Sequence, residues 1–430
     1  MRVAIVGTPV RGHINPFLAI GKLLTANGHS VTLHLPHAFE IQAEANGMSF
    51  VPVHESIDRD LTDMATAFPE LLRFTPGAEM MRFYYEKVFI DMMKIQDDGL
   101  RALIQSAKPD LILYDCTYLG AMPLLAQPRV TRPAVVACGI SSLHTTRTDG
   151  APFGPGLPPA STQAERERYA AIAAEVTRSF SEPVQEHFVS AMRDLGAALP
   201  TMSLLDMMVC SPDLYLQPTI PSFEYAVFPA RDQVRFVGAL PVPPSGELPD
   251  WANDIGNCGK RAVLVSQGTL ANHDLTQLVR PTLDALADRD DVLVLVTTGG
   301  RPTESVKGDL PGNVRVAEFL PFDRLMPSLD LIVTNGGYGT VNHALSCGVP
   351  LVVAGLSEDK AEVNMRVGWS GAGINLATQT PSAAAIRDAV DTVLDVPAHR
   401  NRAQELGREF AAYQPAIEIP QLLESIAAPS

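Results

Sequence analysis

Short runs of Val, Ile and Leu alternate with segments of helical period in two separate stretches of the chain. In the first stretch the apolar runs are residues 2–7, 30–35, 48–53, 110–115 and 133–139. In the second they are 261–266, 291–297, 313–319, 330–334 and 351–354. Between them lie helix-like segments, 15–27 and 80–107 in the first stretch and 275–288, 339–347 and 362–370 in the second. A run that is apolar at nearly every position belongs to a strand covered on both faces, and helices between such strands make the sheet parallel. Each stretch is therefore predicted to be a doubly wound, Rossmann-like α/β domain. The two share a plan and no short sequence repeat.

Prolines punctuate the region from Gln217-Pro218 through Leu240-Pro241-Val242-Pro243-Pro244. A linker tolerates that many, whereas a packed sheet needs the N–H groups they lack. The predicted organisation is an N-terminal domain over 1–218, a Pro-rich linker over 219–241, a C-terminal domain over 242–400 and a helical tail over 401–430. The tail is expected to pack back toward the first domain. A second irregular segment, Gly150–Pro159, interrupts the first domain, and long loops in such folds commonly line sites.

Composition narrows the partners. The 430 residues are 46% hydrophobic and 19% charged, enough apolar surface for two cores. Lys plus Arg is 33 against 48 Asp plus Glu, a net charge of −15. That balance disfavours a nucleic-acid polyanion as partner, and equally a basic face docking on anionic lipid. The five cysteines are scattered and never in CxxC spacing, so they read as reduced structural thiols with no zinc site. The start, Met1-Arg2-Val3-Ala4-Ile5-Val6-Gly7, has too short an apolar run for a signal peptide. No window reaches the roughly 20 apolar residues of a membrane span. A cytoplasmic protein without membrane insertion is expected.

Two α/β domains face each other at the carboxyl ends of their strands, where ligands of such folds bind. The loop after the first strand, Gly7-Thr8-Pro9-Val10-Arg11-Gly12-His13-Ile14-Asn15-Pro16, is neither a GxGxxG fingerprint nor a Walker loop. It leaves His13 at the mouth of a helix, either as a cap or as a proton-transfer group. The apolar run 110–115 ends in Asp115 at the same sheet edge, where it could orient an imidazole or simply be solvated. No GxSxG or reactive-cysteine context accompanies the pair, so the enzyme has no evident nucleophile and the substrate would supply it.

In the second domain, Thr334 through Ala344 (TNGGYGTVNHA) follows a strand and enters a helix. Its glycines admit a ligand close to the backbone, and the helix N-terminus offers amides and positive dipole to phosphate. Ser266-Gln267-Gly268-Thr269, also after a strand, adds a second such edge.

These motifs together resemble family 1 glycosyltransferases of the GT-B fold, in the branch of bacterial macrolide and natural-product enzymes related to the UDP-glycosyltransferases. Gly12–Pro16 (GHINP) matches the family's GHxxP, Phe319–Phe322 (FLPF) stands at its Trp-x-Pro-Gln, and Asn335–Pro350 matches its donor signature. The resemblance implies an inverting, metal-independent transferase moving a hexose from a nucleotide-diphosphate sugar to a hydroxyl of an apolar small molecule. UDP-glucose is the default donor and a TDP-sugar the alternative; no permanently bound cofactor or metal is implied. It casts His13 as base and Asp115 as its partner. Around the donor it places Gly12, Ser266, Gly268, Thr269, Phe319 (against the base), Leu320, Asn335, Gly337, Tyr338, Gly339, Thr340 and His343, with Glu358, Asp359 and Lys360 as candidates for reading the sugar.

The chain departs from the family pattern in four places. Asn335 replaces a diphosphate-binding His, His343 replaces a ribose-binding Glu, Phe322 replaces Gln, and residues 357–362 contain no Gln. Lys360 could replace the charge lost at Asn335. For the acceptor, the apolar segment 65–93 offers Phe83, Phe89 and Met93 as a wall, with helix core as the competing reading. Two other readings stay open, a nucleotide-sugar epimerase of similar fold and a catalytically silent nucleotide-sugar-binding helper. A monomer or a homodimer is compatible with all of them.

Overall fold

The computed structural model describes residues 1–59, 61, 64–242, 248–256, 258–269 and 272–428. Pro243 and Pro244, the end of the Pro-rich stretch, lie outside the described residues.

The first sheet has seven strands, β1 (Arg2–Val6), β2 (Ser30–Leu35), β3 (Ser49–Pro52), β4 (Leu111–Asp115), β5 (Ala134–Cys138), β6 (Leu214–Gln217) and β7 (Val234–Phe236), in the order 3-2-1-4-5-6-7. The second has six, β8 (Arg261–Ser266), β9 (Val292–Thr297), β10 (Val314–Ala317), β11 (Leu331–Thr334), β12 (Leu351–Val353) and β13 (Gly373–Asn375), in the order 10-9-8-11-12-13. Every pairing is parallel. Both sheets are the doubly wound, Rossmann-like kind that the apolar runs predicted. Central strands β4, β5 and β9 are buried along their whole length, because helices cover both faces.

Each sheet changes winding direction at its first strand, between β1 and β4 and between β8 and β11. Connections leave such a point in opposite directions, so a crevice opens at the carboxyl ends of those two strands. His13 and Asp115 follow one pair, and the glycine turns 266–269 and 335–340 follow the other.

Three strands were not foreseen. Strand β7 lies within the stretch read as linker, pairing Tyr215 with Val234 and Gln217 with Phe236. It is short enough that prolines flank it without interrupting its ladder. The chain crosses to the second domain only after this strand. The segment read as one helix over 80–107 comprises Ala78–Phe83, a π-helical stretch Tyr84–Ile90, and Met93–Ala107. A wider turn shifts which side chains share a face.

The last helix, Pro415–Ala427, packs on the first-domain helix Arg11–Ala26 and on β5. Ile419 and Leu423 are fully buried in the cluster containing Ile14 and Phe17. Arg129 donates to the Ile426 carbonyl at 3.0 Å. Direct hydrogen bonds also join the domains, from Gln217 to the Tyr338 hydroxyl and from Thr219 Oγ1 to Asn342 Oδ1. Among the described residues, no helix is long and apolar enough to cross a membrane.

Candidate active site

The pairing of Val6 with Tyr114 puts the residues after β1 beside the residue ending β4. Gly7 has no side chain there; a Cβ would sit 3.4 Å from that of Asp115. The helix that follows is capped at Val10 without any side-chain hydrogen bond, so His13 does not act as its cap. Instead His13 Nδ1 lies 2.9 Å from Asp115 Oδ2.

Asp115 is fully buried. Its Oδ2 also accepts from Thr8 N–H at 3.2 Å and Thr117 Oγ1 at 2.9 Å, and its Oδ1 accepts from Thr117 N–H at 2.8 Å. Burial pushes its carboxyl up, but the His13 imidazole and the Thr117 donors outweigh that, and the net shift is downward. An ionised carboxylate only accepts, so Nδ1 of His13 carries the proton and Nε2 keeps its lone pair. The His13 side chain remains 19% exposed, leaving that nitrogen a route to a substrate. This is the geometry of a general base with its orienting carboxylate.

Asp359 comes to the same place from the second domain. It is the N-cap of the helix Lys360–Ser370. Desolvation pushes its carboxyl up, while Lys360, Ser141 and His13 pull it down without reversing the shift. Its two neighbours are otherwise engaged. Glu358 has a left-handed backbone (φ 52°) and accepts from Tyr84 OH at 3.4 Å and from Ser357 Oγ at 2.7 Å. The Lys360 ammonium pairs with Glu358.

Four turns at the carboxyl edge of the second sheet form a cradle. Gly336 has φ 92°, and a Cβ there would lie 1.7 Å from Asn364 Oδ1. At Gly355 a Cβ would lie 2.5 Å from the Asn335 carbonyl oxygen. Asn364 Nδ2 ties both turns together, donating to Asn335 O at 3.2 Å and Gly355 O at 3.0 Å. Asn335 donates through Nδ2 to Gln267 O at 2.6 Å, and its Oδ1 is buried without a partner. Beside it, Gly268 lies under the Asn335 amide, and Ser266 Oγ accepts from Gly268 N–H at 3.3 Å. Thr269 is half-buried at the rim, and a Cβ on Gly12 would meet open space across the cleft.

Gly337 caps the nine-residue helix Tyr338–Ser346. Gly337 and Gly339 border open space, and the first-turn amides have no partner within a helix. With Thr340 half-buried beside them, these amides and the dipole have the chemistry to hold an anion. The Tyr338 side chain does not join it, because its hydroxyl is held by Gln217 at the domain junction.

Phe319 is 53% exposed, with its ring resting on Gly300, whose missing Cβ would lie 2.5 Å from Cζ. Leu320 points the other way, into the core of the domain, so only its backbone borders the cleft. His343 stands one turn beyond Gly339 on the same helix face. Its Nδ1 is buried without a partner, and it lines a cavity of about 250 Å³ with Pro241 and Tyr413. Burial lowers its pKa, partly offset by Asp323.

The acceptor wall differs from expectation. Phe89 and Met93 lie in the first-domain core, Phe89 edge-on to Tyr85 at 5.4 Å. Phe83 is half-buried between Phe68 (5.8 Å) and Phe74 (5.5 Å). The π-helical stretch turns Tyr85, Val88, Phe89 and Ile90 inward and leaves Tyr84 to reach Glu358. Sequence reasoning missed Tyr84, Thr117, Ser141, Asn364 and the Gly299-Gly300 turn. Thr117 carried a signal, since Asp-x-Thr after a strand is a side-chain-closed turn.

Residues 2–138 match the Glycosyltransferase family 28 N-terminal domain, and residues 280–426 match the Erythromycin biosynthesis protein CIII-like, C-terminal domain. The UDP-glycosyltransferase 2 of Phaeomoniella chlamydospora is 38% identical over 443 residues, 99% of this chain and 96% of that one. The 4'-demethylrebeccamycin synthase of Lentzea aerocolonigenes is 36% identical over 429 residues, 99% of each. Among solved structures, the glycotransferase of kitacinnamycin has the same fold, with a TM-score of 0.70 at 22% identity over 99% of this chain and 98% of that one. With such relatives along its whole length and both Rossmann-like sheets in place, the chain belongs to the GT-B natural-product glycosyltransferases related to the UDP-glycosyltransferases, and is itself a glycosyltransferase.

Proposed function

We propose that the protein is an inverting, metal-independent transferase that moves a hexose, by default from UDP-glucose and alternatively from a TDP-sugar, onto a hydroxyl of an apolar small molecule. The observation that carries this reading is the His13–Asp115 pair of the first domain facing Asp359 and a glycine-flanked helix N-terminus of the second. His13 Nε2 takes the proton of the acceptor hydroxyl as its oxygen bonds to the anomeric carbon. The bond from that carbon to the diphosphate oxygen breaks on the opposite face, and the nucleoside diphosphate leaves. Asp115 holds the tautomer and stabilises the imidazolium, within a general-base effect of roughly 10²–10⁴ in rate.

The leaving charge falls on the amides around Gly337–Thr340, which do the work of a metal through the helix dipole. Phe319 stacks on the base, His343 faces the ribose, and Asp359 hydrogen-bonds sugar hydroxyls. The first domain takes the acceptor and the second the donor. The name of the relative at 38% identity supports UDP as the carrier.

Calorimetry with UDP, TDP and GDP, followed by mass spectrometry of a hydroxylated acceptor panel incubated with UDP-glucose, tests the reading. A glycoside of inverted anomeric configuration by NMR, formed undiminished in EDTA, is expected. A new sugar nucleotide from donor alone would make the protein an epimerase, and nucleotide binding without turnover would make it a helper.

A further inference from the structure

The two half-sites sit on different domains, so their separation depends on what joins those domains near the cleft. The buried carboxylate of Glu362 makes such a joint. Its Oε1 accepts from the N–H groups of Gly154 at 2.8 Å and Gly156 at 3.0 Å, both in the irregular loop of the first domain. Gly154 (φ 116°) and Gly156 (φ 63°) have backbones that favour glycine, and their amides, on either side of Pro155, converge on the carboxylate. Gly156 is seated against the second domain so closely that a Cβ would lie 2.3 Å from the Ala361 carbonyl oxygen.

Both ends of this contact are stiff. On the first-domain side, Arg147 holds the carbonyls of Leu157 (2.7 Å) and Pro158 (3.0 Å), and Tyr169 OH also donates to Pro158 at 2.9 Å. On the second-domain side, Glu362 Oε2 accepts from Arg366 at 3.2 Å. Arg366 is fully buried, donates to Glu224 at 2.9 Å and lies 4.1 Å from the centre of the Tyr225 ring. Glu224 in turn accepts from Leu143 N–H of the first domain at 3.0 Å. Glu362 N–H donates to the Asp359 carbonyl at 3.0 Å, one turn from the residue facing His13.

We infer that Glu362 is a positioning residue: by seating the loop 150–159 on the helix that begins at Asp359, it keeps the base of one domain in register with the sugar held by the other. The inference rests on the roles given above to His13 and Asp359. A reacting pair tolerates little displacement, and a shift of about 1 Å costs on the order of 10²-fold in rate.

Two variants attack the contact from opposite sides. Glu362→Ala removes the carboxylate, and Gly156→Ala adds a methyl where the loop meets Ala361 while leaving every charge in place. On the full chain, with UDP-glucose as donor and quercetin as probe acceptor, transfer is expected to fall about 10- to 100-fold in each. UDP affinity and hydrolysis of UDP-glucose by water stay within about threefold, because the donor cradle is untouched. Hydrogen exchange over residues 150–159 rises in both variants, which reports release of the loop independently of turnover. Released loops with unchanged transfer would overturn the inference. So would transfer, hydrolysis and UDP affinity falling together, which marks a merely structural role. Should Glu362→Ala fail to fold, Gly156→Ala carries the same test. His13→Ala separates the two readings: it abolishes transfer and leaves exchange over 150–159 as in the wild type, and normal transfer by it would sink the base assignment alone.

Discussion

Replacing Asp115 by Asn changes one atom in a fully enclosed place, and the hydrogen bonds there size the effect. Oδ2 accepts from His13, Thr8 N–H and Thr117 Oγ1, and Oδ1 accepts from Thr117 N–H. An amide NH₂ in the Oδ1 position faces Thr117 N–H; in the Oδ2 position it faces Thr8 N–H and His13. Either way at least one buried donor loses its acceptor, at about 1–3 kcal/mol of stability each, so the variant folds with a lower Tm. In the first orientation His13 keeps its tautomer but loses a charge-assisted bond worth about 1.5–3 kcal/mol to the imidazolium, or about 10- to 100-fold in kcat. In the second, the proton moves to Nε2 and the base is lost, removing roughly 10²–10⁴. Initial rates at saturating donor should therefore drop by about 10-fold or more, with UDP affinity by calorimetry unchanged. A folded Asp115→Asn protein that transfers within about threefold of the wild type would refute the assignment of the pair.

Three further outcomes are expected. Because the Asp115 carboxyl sits lower in the fold than in the unfolded chain, it adds stability above its unfolded pKa of about 3.9, and this is lost as pH falls through the folded value. Urea unfolding between pH 7 and pH 3 should show a shallower slope in Asp115→Asn than in the wild type. Gly336→Ala should displace Asn364 from the two carbonyls it joins and lower stability by about 2 kcal/mol or more, whereas Gly339→Ala, with open space around it, should be nearly neutral in thermal unfolding. His343→Glu should raise the preference for UDP over TDP, which lacks the 2′-hydroxyl, by about tenfold in calorimetry, since a carboxylate grips ribose hydroxyls with charge-assisted bonds; an unchanged ratio would take the ribose away from this position.

The His13–Asp115 pair was legible because it depends on strand ends. Runs of Val, Ile and Leu mark buried parallel strands, and parallel strands bring their carboxyl ends to one edge, so His13 and Asp115 could be put together without coordinates. The glycine turn before Tyr338 was legible for the same reason. Strands β7 and β13 were not, since three residues at a sheet's edge carry no apolar run. The aromatic stripe of 65–93 shows how many apolar side chains there are, not which way a π-helical turn points them, so Phe89 and Met93 were read as wall and are core. The partner of Lys360 was not legible either. Its sequence neighbours include the carboxylate that neutralises it, and only the left-handed turn at Glu358 brings the two together. Tyr338 matched a donor motif whose backbone serves the site while its ring serves the junction.

The return of the final helix to the first domain bears on building hybrids from related enzymes. Ile419 and Leu423 fill the space against Ile14 and Phe17, so the domain that begins the chain is completed by its last residues. A chimera joined at a single point after β7 would cap the recipient's first domain with the donor parent's tail, pairing side chains that never evolved in contact. Two junctions, the second between Phe410 and Pro415, would exchange the second domain and leave each apolar seam with its own partner.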